Sequence, residues 1–283
     1  MSTTQVVLFL KVRTINRESD ASIVQTENGF NASVLHQRLH TQLVGKRIYH
    51  YSHLTSTMDR ARELAIEGVE EGAVVIAESQ GGGRGRFGRV WLSPPGGNVY
   101  LSVILYPSRA VLRKLVVASS LAVCHALERV AGLHCGIKWP NDILVNGQKA
   151  SGILIESSSL EDRVQYAIAG IGINVTADLR YNKNLIMPAT CVEAEAGGRV
   201  SRIELVAVLL EEIDLLYGMV KRDVDLIEEW SGLLVNIGRK VALQQGDRRL
   251  EGIARGVDSE GSLLLQTDDG RVHALTSGEV TLH

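Results

Sequence analysis

Hydrophobic residues along the chain follow two periods, and the change between them divides it. A spacing of three to four marks a helix with one buried face. It predicts a helix from Ser56-x-x-Asp59, a capping-box pattern, to about residue 68 through Met58, Ala61, Leu64 and Ala65. A long helix is predicted over 109–130, carried by Val111, Leu115, Ala118, Leu121, Ala122 and Leu127. Another opens at the capping box Ser201-x-x-Glu204 and runs through Val206, Leu209, Leu210 and Ile213 toward Tyr217, and a further helical segment reaches Trp230. A short helix fits 31–39, with Val34, Leu35 and Leu39 on one side. Strands are predicted at 46–51, 73–77, 98–106 and 164–175. Residues 143–155 read as a hairpin about Asn146-Gly147, the strongest two-residue turn signal. Pro140 holds Trp139 extended and ends the strand that starts at Gly136. Residues 176–200 read as a loop or meander.

From about residue 236 the texture shifts to short strands at 239–243, 249–257, 262–266, 271–276 and 279–282, with turns between them. Five short strands in so little chain predict a small barrel. The organisation is therefore an N-terminal extension of unclear role (1–40), a larger domain (41–235) and a C-terminal barrel (236–283). Residues 1–30 show no helix-turn-helix spacing.

Composition narrows the classes. The 283 residues are 45% hydrophobic and 22% charged, with a net charge of −2. A generic nucleic-acid binder is basic overall, so any cationic site here is local. Three cysteines (Cys124, Cys135, Cys191) without a C-x-x-C motif fit reduced thiols in the cytoplasm, with no zinc site and no disulfide framework. Cys124 sits in an apolar helical stripe and reads as core, and His125 and His134 read as structural or surface residues. No apolar run approaches the length of a membrane span, and Val6–Leu10 is cut short by Lys11, unlike a signal peptide.

The chemistry concentrates in 80–89, where five glycines and three arginines (Arg84, Arg86, Arg89) surround Phe87. Glycine frees the backbone, and arginine forks suit carboxylate and phosphate oxygens. A loop that closes on an anionic small molecule, a plain linker and an Arg-Gly nucleic-acid segment all fit. No P-loop is present, because no Lys-Ser or Lys-Thr follows, and Val90-Trp-Leu-Ser-Pro-Pro cannot open the helix of a dinucleotide site. Ser56 and Thr57 suit capping or a grip on polar ligand atoms. Gly170 and Gly172, inside a strand, imply close approach of another backbone or a ligand.

Gly83-Arg-Gly-Arg-Phe-Gly-Arg89, Lys138-Trp-Pro-Asn-Asp142, Ser151-Gly-Ile-Leu-Ile-Glu156 and Gly170-Ile-Gly-Ile-Asn174, in this order, resemble the biotin protein ligase family from about residue 46 to the C-terminus. The resemblance implies an α+β fold, a mixed sheet backed by helices of the class II synthetase-like biotin/lipoate ligase type, followed by an SH3-like barrel. Residues 41–235 become the biotin- and ATP-binding catalytic domain. It implies activation of biotin by ATP to biotinyl-5′-AMP, with Mg²⁺ carried on the phosphates, and transfer to a lysine of a biotin carboxyl carrier protein.

The resemblance also assigns residues. Lys138 and Arg86 become catalytic, with Lys138 bridging the biotin carboxylate and the α-phosphate. Ser56, Thr57, Met58, Gln80, Arg84, Gly85, Arg86 and Lys138 contact biotin; Arg84, Arg86, Arg89, Trp91, Asn141 and Asn174 contact the adenylate. Trp91 suits plain core equally well, and Asp142 holds the turn or assists the incoming lysine. The loop 81–89 is expected to be disordered when empty. Met58 stands where the family commonly carries Asn, and Gly81-Gly82 is richer in glycine than usual. A homodimer is in keeping with the resemblance, and neither DNA nor membrane is an expected partner. A lipoate ligase-type acyltransferase and an Arg-Gly nucleic-acid-binding protein are the competing readings.

Overall fold

The computed structural model describes residues 31–176, 188–245 and 248–282. Expectations for residues 1–30 and for 177–187 of the 176–200 meander lie outside these. Helix α1 (Ala32–Arg38) starts at Asn31, whose side chain accepts from the amides of Ser33 and Val34, and it buries Leu35 completely. Strand β1 (Ile48–Tyr51) leads to α2 (Thr57–Ile66), capped by Ser56, and then to β2 (Val74–Ala77) and β3 (Val99–Leu105). Every residue of β2 and β3 is buried, because helices cover both faces of the sheet there.

Helix α3 (Arg109–Ala131) is capped by Ser108 and stopped by Gly132 in the left-handed conformation (φ 66°). Strands β4 (Cys135–Lys138), β5 (Asp142–Val145), β6 (Gln148–Leu160) and β7 (Arg163–Ile173) follow. Then come α4 (Val192–Ala196), α5 (Arg202–Lys221) and α6 (Ile227–Gly232). The first seven strands form one sheet in the order β1-β2-β3-β7-β6-β5-β4. Only β1 and β2 run parallel in it, so the sheet is mixed as expected. Its α2 face packs on Met58, Ala61 and Leu64; its other face carries α3 and α5.

Three expectations need correction. Helix α4 lies within the stretch read as a meander; five residues with one buried side chain, Val192, are too few to show a period. The hairpin about Asn146-Gly147 pairs Asp142–Val145 with Gln148–Gly152, but its second strand does not end at 155, since β6 runs on to Leu160 against β7. Helix α3 is long and apolar enough to cross a membrane by length and composition, contrary to the reading that no run approaches this. Most of it is buried between the sheet and α5, so it is apolar on more than one side.

Strands β8 (Lys240–Gln245), β9 (Arg248–Val257), β10 (Leu263–Gln266), β11 (Val272–Leu275) and β12 (Glu279–Leu282) form a second, antiparallel sheet. Its order is β11-β10-β9-β8-β12, and among the described residues no β11–β12 ladder closes it into a barrel. The joint to the larger unit is tightly bonded. Ile137 N–H donates to Leu233 O (2.7 Å), Val235 N–H to Ile137 O (2.9 Å) and Trp139 N–H to Asn236 Oδ1 (2.7 Å). Val241, Leu243, Ala254 and Leu263 belong to the same apolar core as α3 and α5.

Trp230 is fully buried at this joint and donates from Nε1 to Ser120 Oγ (2.8 Å). Trp230→Ala should cost about 3–5 kcal/mol, read as a lowered urea midpoint. His125 bridges Glu212 (3.0 Å) and Glu229 (2.7 Å). Burial works to lower its pKa, but the bonds and charges of Glu212 and Glu229 outweigh this and raise it. A raised folded pKa means the contribution is fully present below about pH 6.5, the ordinary histidine value. It is lost as pH rises through the folded value. Between pH 6 and pH 8 the wild type should therefore lose more urea stability than His125→Gln; equal losses would refute the bridge.

Candidate active site

One face of the sheet opens into a cavity of about 630 Å³. Its floor exists because three positions on β6 and β7 carry no side chain. A Cβ at Gly172 would lie 2.5 Å from the Trp91 ring and one at Gly170 2.4 Å from Met58 Sδ; at Gly152 it would meet the Trp91 ring at 3.0 Å. The close approach implied by Gly170 and Gly172 is therefore made by side chains of this chain. Trp91 lies on the glycines while also lining the cavity, so both readings of it describe part of its place.

The polar end is built at the start of α2. Thr57 donates to Gln80 Oε1 from its amide (2.8 Å) and its hydroxyl (3.2 Å). Ser102 Oγ, fully buried on β3, donates to Thr57 Oγ1 (2.9 Å), and Gln80 Nε2 donates to Ser93 Oγ (2.9 Å). Ser56 Oγ accepts from the Met58 amide (3.2 Å), so the cap is real. The reciprocal half of the expected capping box is replaced: the Asp59 carboxylate pairs with Arg62 and Arg84. Met58 is buried against Gly170 and lines the cavity beside Ser56 and Thr57.

The Gly-Arg loop hangs from a short ladder. Trp91 N–H donates to Gly83 O (2.9 Å), Gly85 N–H to Arg89 O (2.7 Å), and Arg84 bridges Val90. Beyond Gly85 the chain makes a 3-10 turn over Arg86–Gly88 with Phe87 at φ 57°. A non-glycine residue there stores of order 1–2 kcal/mol. Phe87 is 64% exposed. Arg86 turns inward, donating to Asn141 Oδ1 (3.1 Å) and to Gly278 O of the C-terminal sheet (3.2 Å). Arg89 pairs with Glu279.

Arg84 lines the cavity, and its side chain is also held by the protein. Its fork is engaged by Glu156 (3.0 and 3.1 Å) and by Asp59 (2.9 Å), two carboxylates that satisfy its planar donors.

Arg86, Arg89, Lys138 and Lys149 converge on the cavity, facing the carboxylates of Asp142 and Glu279. Burial lowers the pKa of Lys138; Asp142 opposes this, while Lys149 and Arg89 add to it. Burial likewise lowers Arg86, against the pull of Asp142. Lys149 Nζ lies 2.5 Å from Asp142 Oδ1 and 5.3 Å from the Trp91 ring centroid. The sequence reading gave Lys149 no role and left it within the hairpin. The register of β5 and β6 shifts between Ile143 and Leu144, with Leu144 opposite Lys149 but Ile143 opposite Ser151. That bulge puts Lys149 on the face of Gly152, whose Cβ position lies 3.2 Å from Lys149 Cε. Strict alternation would have placed the two on opposite faces.

Asn141 receives Arg86 and donates from Nδ2 to Ile153 O (2.7 Å). Asn174 donates from Nδ2 to Thr190 O (3.1 Å). Asn174 Oδ1 and Trp91 Nε1, one acceptor and one donor, are buried without a protein partner. Among the described residues no cluster of three or more His, Cys, Asp or Glu could hold a metal.

Residues 50–174 match the biotin/lipoate A/B protein ligase family and residues 237–282 the biotin protein ligase C-terminal domain. The bifunctional ligase/repressor BirA of Bacillus subtilis is 33% identical over 277 residues, 94% of this chain and 83% of that protein. The biotin--[acetyl-CoA-carboxylase] ligase of Paracoccus denitrificans is 33% identical over 233 residues, 76% of this chain and 92% of that one. The biotin protein ligase from Aquifex aeolicus, solved in complex with biotin and ATP, superposes with a TM-score of 0.71 at 29% identity, covering 84% of this chain and 99% of that one. With both of its domains matched and these relatives aligned along most of their length, the chain belongs to the biotin protein ligase family.

Proposed function

We propose that this protein activates biotin with ATP as biotinyl-5′-AMP, releasing pyrophosphate, and transfers the biotinyl group to a lysine of a biotin carboxyl carrier protein. The observation that carries it is the cluster of Arg86, Arg89, Lys138 and Lys149 at one cavity. In the first step a biotin carboxylate oxygen attacks the α-phosphorus, and the bond to pyrophosphate breaks. Two unit charges about 4 Å apart repel by about 4 kcal/mol at an effective dielectric near 20. Fixed donors aimed at those oxygens lower that barrier without a protein nucleophile. Lys149 and Lys138, held near Asp142, fill this role together with Arg86. In the second step the acceptor amine attacks the acyl carbon and AMP leaves.

Ser56, Thr57 and Gln80 supply the polar end for the ureido head, and Met58 the apolar wall beside it. Trp91, Asn141 and Asn174 serve the adenine and ribose end. A buried donor or acceptor left unpaired costs about 1–3 kcal/mol, so Trp91 Nε1 and Asn174 Oδ1 suit a heterocycle with complementary polar groups. Mg²⁺ enters with ATP, held through phosphate oxygens, and no step runs through a protein metal site. Residues 85–89, tied to Gly278 and Glu279, order over the adenylate and keep water from the anhydride.

The match to the biotin protein ligase C-terminal domain supports biotin over lipoate. The net charge of −2 and the pairing of Arg84 with carboxylates disfavour a nucleic-acid segment. A cytoplasmic location, pairing of two copies and the absence of DNA-binding regulation are parts of the same proposal. Incubation with ATP, a carrier domain and either biotin or lipoate tests the function: biotin-dependent pyrophosphate release and carrier labelling support it, and release with lipoate alone overturns it.

Lys149→Ala should slow adenylate formation by about 100-fold or more, the range for removing one preorganised charge. Lys138→Ala should also slow it, both read as first-turnover pyrophosphate release. Arg86→Gly should keep the fold by circular dichroism while releasing free biotinyl-AMP to solution. Unchanged retention of the intermediate on chromatography would refute the lid.

A further inference from the structure

Arg84 sits at the base of the lid, and its side chain belongs to a closed ring of charges. Arg84 bonds Glu156 through Nε and a terminal nitrogen, and its other terminal nitrogen lies 2.9 Å from Asp59 Oδ1. Arg62 reaches the same two carboxylates, Glu156 Oε2 at 2.6 Å and Asp59 Oδ1 at 3.0 Å. The four groups alternate in sign and cancel in charge. They join three elements: Asp59 and Arg62 on α2, Glu156 on β6, and Arg84 on the loop. The Arg84 and Glu156 side chains are 25% and 29% exposed, shielded enough for a forked pair to hold a geometry. The bonds from Arg84, and next those from Arg62, hold the Glu156 carboxyl below its ordinary range despite burial.

The backbone shows what the ring restrains. The ladder linking Gly83 with Trp91 and Gly85 with Arg89 leaves the 3-10 turn Arg86–Gly88 beyond it as the tip, touched by Asn141 and Gly278 through the Arg86 side chain alone. Arg84 lies inside that ladder, opposite Val90. Asp59, Arg62 and Glu156 do not line the cavity. The geometry points to the Asp59–Arg62–Glu156–Arg84 ring as a positioning device: it pins the lid's base to α2 and β6, so that only the tip moves over the adenylate. Arg84 then acts through the carboxylates that hold it, and Arg62, remote from the reacting atoms, governs retention of the intermediate. This rests on the ligase reading above.

The test uses the full chain with ATP and biotin and no acceptor. Arg62→Gln and Glu156→Gln should each raise the release of free biotinyl-AMP about three- to tenfold, the scale of one partly buried ion-pair contact. First-turnover pyrophosphate release should stay within about twofold, the split expected when no transition-state contact is lost. Arg84→Lys, which keeps one cation for the two carboxylates, should release less adenylate than Arg84→Gln. Tryptic cutting within 84–89 should quicken in Arg62→Gln and Glu156→Gln at an unchanged thermal midpoint. If both variants retain adenylate as the wild type does, while Arg84→Gln alone slows pyrophosphate release more than about tenfold, Arg84 touches the reacting groups and the ring is overturned. If the wild type gives no biotin-dependent pyrophosphate, the ligase reading fails by itself. The ring is then judged by the tryptic arm, where unchanged cutting refutes it.

Discussion

At the centre of the large sheet Gly152 on β6 faces Gly172 on β7, and Leu154 faces Gly170 two pairs further on. With no Cβ at these glycines the sheet has a bare floor, and Trp91 and Met58 descend onto it to distances that any side chain would forbid. The cavity, the seat of the loop and the approach of Lys149 all depend on that absence of atoms. A methyl group at Gly172 would strike the indole of Trp91 and lift the segment that roots the lid. The opposite face of the same strands is filled by α3 and α5, so the floor cannot yield by sinking.

Charge follows from how each cation is held. Arg84 and Arg86 are two residues apart on one loop, yet they meet different surroundings. Arg84 finds two carboxylates within reach and is satisfied by them. Arg86 bonds a side-chain amide oxygen and a backbone carbonyl, both neutral, and the pull of Asp142 only partly offsets the cost of its burial at the cavity. Lys149 lies close enough to disfavour the charge of Lys138, and Asp142, which pairs with Lys149, opposes this. An anion entering this cavity would relieve repulsion already present in the folded protein.

The second sheet is part of the same construction. Its apolar residues share the main core, Trp139 Nε1 donates to Gly261 O (3.0 Å), and Gly278 and Glu279 receive the two arginines of the lid tip. The lid is therefore held from below by the catalytic unit and from the side by the C-terminal one. That arrangement ties the distant end of the chain to the Gly-Arg loop.

Local rules settled much of this before any coordinates. Helix periods, the caps Ser56 and Ser201, the Asn146-Gly147 turn and the glycines of β7 act over a few residues and can be read directly. So could the glycine and arginine content of the loop, which marked a cationic segment. What the linear order withheld depends on contacts between distant residues. The bulge in β6 that turns Lys149 toward Gly152 is set by pairing with β5, and nothing within 148–155 announces it. The pairing of Arg84 with Glu156 spans 72 positions, which is why the carboxylates that hold this cavity-lining cation could not be named from the loop alone. Helix α3 looks like a membrane span in isolation, and only its burial against β-strands and α5 makes it a core helix. Sequence determines what each short segment can do; the tertiary structure decides which face and which partner it meets, because burial and charge pairing are properties of neighbours in space.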